Sequence, residues 1–452
     1  MNGKRRRTVA IVAVVALLGA GAVAALIGCG GRAKLVAGED TGSRPVIAAP
    51  NPSAIPTLDI APAKGWPAGL TPTAAQGLAV QAFATGLDHP RWLYVLPNGD
   101  VLVAESNAPA GKRGIGGLKG KVMGAVMKRA GSGVPSADRI SLLRDADGDG
   151  VAEVRGVFAQ GLTSPFGMVL VGDTLYIANA DALVKLPYAD GQQRAGAAPQ
   201  KVADLPGGEG QLNHHWTKSL VASADGARLY VGVGSNSNIA ENGLPAETDR
   251  AAVLEIDPAT GTRRVYAHGL RNPVGLAWEP SSGTLWAVVN ERDELGSDLA
   301  PDYLTQVEAG AFYGWPYSYW GQHVDSRVQP QRPDLVARAR VPDYALGAHV
   351  ASLGLSFAGN QRLGAPYADG AFVGLHGSWN RKPLAGYKVV FVPFRDGRPA
   401  GPMSDVLTGF LDAQGDARGR PVGVSIARDG ALLVADDVGN AVWRVTAAGA
   451  AK

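Results

Sequence analysis

The sequence predicts an all-β fold, a six-bladed β-propeller, on three observations. A strand-turn-strand phrase recurs along the chain as GLDHPRWLYVLPNGDVLVAES, GLTSPFGMVLVGDTLYIANA, HHWTKSLVASADGARLYVGVGSNSN, GLRNPVGLAWEPSSGTLWAVVNE, VASLGLSFAGN…YADGAFVGLHGSWN and GRPVGVSIARDGALLVADD. Starts near residues 86, 161, 214, 269, 349 and 419 leave roughly 50 to 80 residues per copy, room for one four-stranded sheet each. The turns inside the copies are Asn98-Gly99, Gly172-Asp173, Asp225-Gly226, Ser282-Gly283 and Asp429-Gly430, dipeptides that permit the positive φ of two-residue hairpins. Finally, 61 glycines gather at turns, and long helical periodicity is hard to find outside the N-terminus.

Three segments follow in order. Residues 1–28 read as a leader, with basic Lys4, Arg5, Arg6 and Arg7 ahead of an apolar run from Thr8 to Ile27. Leu26-Ile27-Gly28-Cys29 resembles the lipobox of bacterial lipoproteins, whose cysteine is diacylated and becomes the mature N-terminus. Cys29 is the only cysteine in the chain. An uncleaved membrane helix is the alternative, because about 20 apolar residues span a bilayer. Either reading places the body in the cell envelope, lipid-anchored at the periplasmic face of a membrane or tethered by an N-terminal transmembrane helix. Residues 29–75, with Pro45, Pro50, Pro52, Pro56, Pro62, Pro67 and Pro72 among alanines, read as an extended, weakly structured tether that holds the body away from the lipid. Residues 76–447 form the propeller. Leu78 to Phe83 reads as its first strand and is expected to pair near Val442-Trp443-Arg444-Val445, closing the ring and removing both sheet edges.

The net charge of +3 belongs to the leader. Without its four cations, 39 basic residues of the original 43 face 40 acidic ones. A nearly neutral body offers no field for nucleic acid, so that class of partner is excluded. The body has no cysteine for disulfides, and its stability must come from packing between blades.

Chemistry-bearing residues fall at the repeat openings. His214 and His215 precede the third strand pair, and imidazole titrates where a general base for a hydroxyl proton is needed. Arg271-Asn272 opens the fourth repeat, where an arginine can clamp a carboxylate bidentately. Both positions are equally compatible with loop or inter-blade structural roles. Asp145, Asp147, Asp149 and Glu153 alternate around glycines like the first half of a calcium loop, although Gly156 stands where a twelfth-position acid belongs. Such a calcium would be structural, and an unmetallated Asp-rich turn explains the pattern as well. Asn107 to Ala137 reads as a long loop, a lid or a docking surface for an electron acceptor.

HHWTKSLVASADG, GLRNPVGLAW, AGAFYGWPY, HGSWNRKPLAGYKVVFVPF and the closing GRPVGVSIARDGALLVADD resemble the soluble quinoprotein sugar dehydrogenases, in their sorbosone dehydrogenase branch. The resemblance covers residues 78 to 446. It implies a propeller holding pyrroloquinoline quinone (PQQ) and calcium, a sugar or aldehyde substrate, a histidine base, hydride transfer to the quinone and a separate electron acceptor. By its motifs His215 is the base, with His214 the fallback, and Arg271, Asn272 and Arg420 contact the quinone. His376 stands near the position of a quinone-binding lysine, and Arg381 or Lys382 can supply the missing charge; a second C-terminal arginine is replaced by Val422. The calcium segment reads Asn290-Glu291-Arg292-Asp293, making Glu291 and Asp293 the candidate ligands near the quinone. Because the quinone bears three carboxylates, Lys218, Arg271, Arg381 and Arg420 are expected to converge on it, with Trp216, Trp315 and Trp379 as flat walls.

Two other classes compete. Glu105, Asn179, Asn236, Asn290 and Asp436 each follow the second strand of a repeat, and a ring of such oxygens would suit a calcium-dependent lactonase-type hydrolase. A non-catalytic propeller binding a partner or glycan at the envelope would need neither the histidine nor the arginines.

Overall fold

Period-two alternation in strands buried on both faces organises this molecule, a computed structural model that describes residues 31–52, 57–109, 124, 128–207 and 213–449. Six antiparallel sheets form the blades of a propeller. Blade one comprises Pro90–Val95, Val101–Glu105, Arg139–Arg144 and Val154–Gln160. Blade two comprises Met168–Val171, Thr174–Ala178, Ala182–Pro187 and Gln200–Asp204. Blade three is Leu220–Ala222, Leu229–Val233, Ala252–Ile256 and Arg263–His268. Blade four is Pro273–Trp278, Leu285–Val289, Pro301–Gln306 and Tyr344–Ala348. Blade five is Ser352–Phe357, Gly370–Leu375, Lys388–Arg395 and Ser404–Thr408. Blade six is Pro421–Ile426, Leu432–Asp436 and Ala441–Ala447, completed by Leu78–Thr85.

The expected closure is present: Val442 pairs with Ala84, Trp443 with Ala82 and Val445 with Val80. One sheet thus joins both ends of the propeller, and the innermost strands touch in succession from blade one round to blade six and back. The five expected turns also form, with φ of +98° at Gly99, +59° at Gly172, +69° at Gly226, +66° at Gly283 and +88° at Gly430.

Each inter-blade gap holds its own apolar cluster. Leu102 and Ile140 of blade one meet Met168 and Ile177 of blade two. Their strand neighbours Val101 and Val103 point the other way, to Leu433 and Val442 of blade six. Adjacent residues of one strand therefore serve opposite interfaces, which is why the second strands read VLVA, LYVGV, LWAVV and LLVA rather than as an apolar-polar alternation.

The segment expected as a free tether differs from that expectation. From Gly31 onward it lies on the propeller as a strap. Thr41–Gly42 extends blade four beside Leu346 and Ala345, and Thr73–Ala74 extends blade five beside Thr408 and Leu407. Between them the Asn51 amide donates to the Leu295 carbonyl and the Asp59 amide to the Trp379 carbonyl. Ala61 is fully buried, and Trp66 packs edge-on against Phe410 and Trp443. Proline keeps the chain extended, and the apolar residues between prolines supply the packing. Among the described residues no helix is long and apolar enough to cross a membrane; Cys29 and the apolar run before it lie outside them.

Candidate active site

In an antiparallel blade the start of the first strand and the end of the second share one end of the sheet. Loops at those two places in blades one and three to six enclose a cavity of about 610 Å³. That volume suits a cofactor-sized ligand with space beside it. Blade one also contributes Asn107, Ala108, Gly124 and Ala130–Ser132 from the long loop, so its described part covers the cavity.

His215, half-buried, lines this cavity with His214 beside it, their ring centroids 4.6 Å apart. Its Nδ1 lies 2.8 Å from the Ser235 carbonyl oxygen. A carbonyl can only accept, so Nδ1 carries the hydrogen and Nε2 keeps the lone pair. Burial, reinforced by Arg271 and His214, pushes the imidazole pKa well below its ordinary value, so the ring is neutral at pH 7. Backbone closeness fixes the ring: a Cβ on Gly234 would lie 2.4 Å from the His215 Cβ and 2.3 Å from Asn272 Oδ1.

The predicted cations divide. Arg420 is buried with its guanidinium 4.9 Å over the Tyr387 ring; one nitrogen donates to the Ala61 carbonyl at 3.3 Å, and Nε has no partner among the described residues. Arg271 lines the cavity but is already committed. It donates to the Glu291 carbonyl at 2.7 Å and to Asn238 Oδ1 and Asp293 Oδ2 at 3.0 Å each. Asn272 Oδ1 is buried without a partner among the described residues. Lys218 does not reach the cavity. It is fully buried, and its amine donates to the Trp216 carbonyl at 3.1 Å, because the side chain folds back under the loop that presents His215. Arg381 likewise turns away, donating to the Ser297 carbonyl at 2.9 Å and reaching Asp40 of the strap at 3.5 Å. Lys382 is not among the lining residues either. Trp216 and Trp379 line the cavity; Trp315 instead supports it from beneath, its indole donating to the Asn238 carbonyl at 2.9 Å.

His376 does line the cavity, bonded through Nε2 to Asp437 at 2.9 Å. Burial takes its pKa down to about 4 despite that carboxylate. Asp437 also binds Arg91 and lies 3.6 Å from His89 Nε2. Burial alone would raise this acid, but His376, His89 and Arg91 hold it far below the usual range. Arg91 Nε and Asp437 Oδ1 are both buried without partners among the described residues. Sequence reasoning missed His89, Arg91 and Asp437. The signal was available in register: His89-Pro90-Arg91 opens the first repeat at the Pro position occupied by Pro273 after Arg271-Asn272.

The acidic side of the cavity is internally satisfied. Asp293 accepts from Arg271 and from Asn380 at 2.7 Å, and it faces His349 at 3.5 Å. Burial opposes its ionisation, but Arg271 and then His349 hold its pKa far down, and Asp293 in turn raises that of His349. Glu291 is pushed up to about 7 by burial against the pull of Arg271, and Asp302 up to about 6 by burial. Both Asp302 oxygens accept backbone amides, from Glu291 and Ser352. Each Asp293 oxygen thus already accepts a side-chain hydrogen bond, while Glu291 has one oxygen on the Arg292 amide at 3.0 Å.

The oxygen ring required by a hydrolase does not assemble. Glu105 is taken by Arg139, Ser141 and the Asp88 amide. Asp436 is taken by the indoles of Trp66 and Trp443 and the amides of Arg420 and Gly439. Asn236 and Asn290 line the cavity, whereas Asn179 does not. The acidic loop does assemble: oxygens of Asp145, Asp147, Asp149 and Glu153 all lie within 4.8 Å of one another, remote from the cavity in the loop joining the last two strands of blade one.

Comparison with known proteins agrees with this architecture. A family described as TrAA12-like matches residues 140–309 and 325–448. An uncharacterized protein from Borreliella burgdorferi is 28% identical over 64% of this chain and 76% of its own length. A pyrroloquinoline quinone-dependent pyranose dehydrogenase from Coprinopsis cinerea is 28% identical over 51% of this chain, and the match spans 39% of that protein. The holo PQQ domain of a Coprinopsis cinerea pyranose dehydrogenase superposes with a TM-score of 0.65 at 22% identity, covering 86% of this chain and 100% of that one. A Trichoderma reesei structure of carbohydrate-active enzyme family AA12 gives 0.66 at 20% identity over 87% and 100%.

Proposed function

This chain belongs to the TrAA12-like family, and on that premise we propose that it is a PQQ-dependent oxidoreductase of a sugar, of the pyranose, aldose or sorbosone type. The observation that carries the reading is the tautomer of His215. Its Nδ1–H is spent on the Ser235 carbonyl, so a neutral Nε2 is left to take a hydroxyl proton in a cavity that also holds under-used cations.

The residues present fit the cofactor. A planar tricarboxylate needs fixed donors that are not already consumed, and Arg420 Nε and Arg91 Nε are buried donors still lacking partners among the described residues. Arg420 and Arg91 would hold its carboxylates, with Trp216 and Trp379 as walls and His376 beside them, its Nε2–H spent on Asp437. When bound, the quinone supplies the hydride acceptor. His215 removes the substrate hydroxyl proton, and burial, reinforced by the charge of Arg271 locked onto Asp293 and Asn238, keeps that imidazole neutral. Calcium belongs to the same reading, most simply at the four clustered carboxylates of the Asp145–Glu153 loop, where it would stabilise rather than react. An envelope location through acylated Cys29 is the matching reading of the leader, and an electron acceptor outside the chain completes the cycle.

Purified protein should reduce an artificial acceptor with a panel of sugars only after PQQ is added. Arg420→Ala should weaken PQQ binding on the order of ten- to a hundredfold, the loss of one charge-assisted bond. Arg271→Ala should instead disturb Asp293 and Asn238. If no sugar is oxidised with PQQ and calcium present, the proposal is wrong.

A further inference from the structure

The route of the strap carries a consequence for how the molecule sits in the envelope. Gly31, its first described residue, is held at the cavity end: its carbonyl accepts from Ser297 Oγ at 2.6 Å and from Thr57 at 3.3 Å. Lys34 and Leu35 donate their amides to Asp298, and the Ala33 amide donates to the Lys382 carbonyl, three residues from the cavity wall at Trp379. Cys29 precedes Gly31 by only two residues, about 7 Å of fully extended chain. No length remains for a spacer, because the proline-rich stretch that would provide one is consumed in crossing the blades.

Charge agrees with that placement. Arg32, Lys34, Lys64, Lys128 and Arg129 are exposed on the strap and the cavity-covering loop, where the Ala63 amide ties one to the other through the Arg129 carbonyl. Lys64 is paired with Asp416 at 3.9 Å, and its side chain stays 61% exposed. Leu70, 46% exposed, adds an apolar contact on the same stretch. The acidic loop Asp145–Glu153 lies at the opposite end of blade one. We propose that the cavity end of the propeller is a membrane-docking face, seated on an anionic lipid surface with the acidic loop of blade one turned away. This rests on the acylation of Cys29 proposed above for the anchor, while the cationic face stands independently of it.

The test uses the acylated full chain on phosphatidylcholine vesicles containing a minor fraction of phosphatidylglycerol. Lysine acetylation read by mass spectrometry should fall several-fold at Lys34, Lys64 and Lys128 on vesicle binding. Lys201, which opens the outermost strand of blade two at the far end, should label as before. Equal labelling of all four in the bound chain overturns the proposal. The unacylated Cys29→Ser chain should still bind these vesicles in low salt, and K64E/K128E/R129E should weaken that binding on the order of a hundredfold. If mass spectrometry finds no lipid on Cys29, the anchor reading fails by itself. The docking face is then judged on the Cys29→Ser chain alone, and no vesicle binding, or binding indifferent to the charge reversals, overturns it.

Discussion

His215 and Arg271 illustrate what single residues do here. Both are legible as repeat-opening residues, yet their partners assign them different tasks: one presents a lone pair to the cavity, the other spends its donors within the protein. Only the neutral imidazole accepts a proton, so turnover should rise with pH through the His215 pKa. Because burial, Arg271 and His214 depress that pKa, the rising limb should lie below about pH 6.5, with a plateau above it. His215→Gln should remove the limb and lower the rate by about 10²- to 10⁴-fold while sparing PQQ affinity. His214→Gln should keep the limb. A limb centred at or above the ordinary imidazole pKa, or one retained in His215→Gln, would assign the base to another group.

At the scale of the element, each loop is placed by a tight turn at one end of its blade and a close backbone approach at the other. Gly283 sits at φ +66° with nothing within 4 Å of the position a Cβ would take, whereas Gly234 has no room for one beside Asn272 and His215. Gly283→Asn should therefore be tolerated, since asparagine accepts the left-handed region. Gly234→Ala should keep the fold but displace the base, at a cost of about 1 to 3 kcal/mol in stability and a larger loss in turnover. Thermal melts and steady-state rates on the two variants separate these effects; equal activities would mean that the His215 loop does not depend on that contact. Turn glycines were legible because their dipeptides act locally. Gly234 was not, because its constraint comes from a loop some forty residues further along the chain.

The whole molecule is closed by one sheet, and its six interfaces are separate apolar clusters. A chain truncated after Gly439 loses Ala441–Ala447, which leaves Leu78–Thr85 unpaired and blade six with two strands. Exposed edges and an opened ring should abolish the cooperative melt of the full chain and promote aggregation. A truncated chain that melts as a single transition at the wild-type temperature would show that closure contributes little. The strap adds a second level of organisation: it ties blades four, five and six across the cavity end, so the same segment reads as a linker by composition and serves as structure.

By itself the sequence determined the blade count, the turns, the closing strand pair and the identity of the repeat openings, because hairpin periodicity and glycine turns are local and repeat six times. It also singled out His215 and Arg420. Tertiary structure alone decided which side chains face the cavity. Lys218 and Arg381 look like site cations until their nearest carbonyls are known, and Asp437 looks like an ordinary strand-end acid until His89, Arg91 and His376 arrive from blades one and five. The fate of residues 31–75 was equally hidden. Prolines and alanines describe an extended chain, but whether that chain is free or laid across a sheet depends on unpaired blade edges hundreds of residues away. Electrostatics and edge pairing act through space, and the spacing that matters is set by the ring, not by position along the chain.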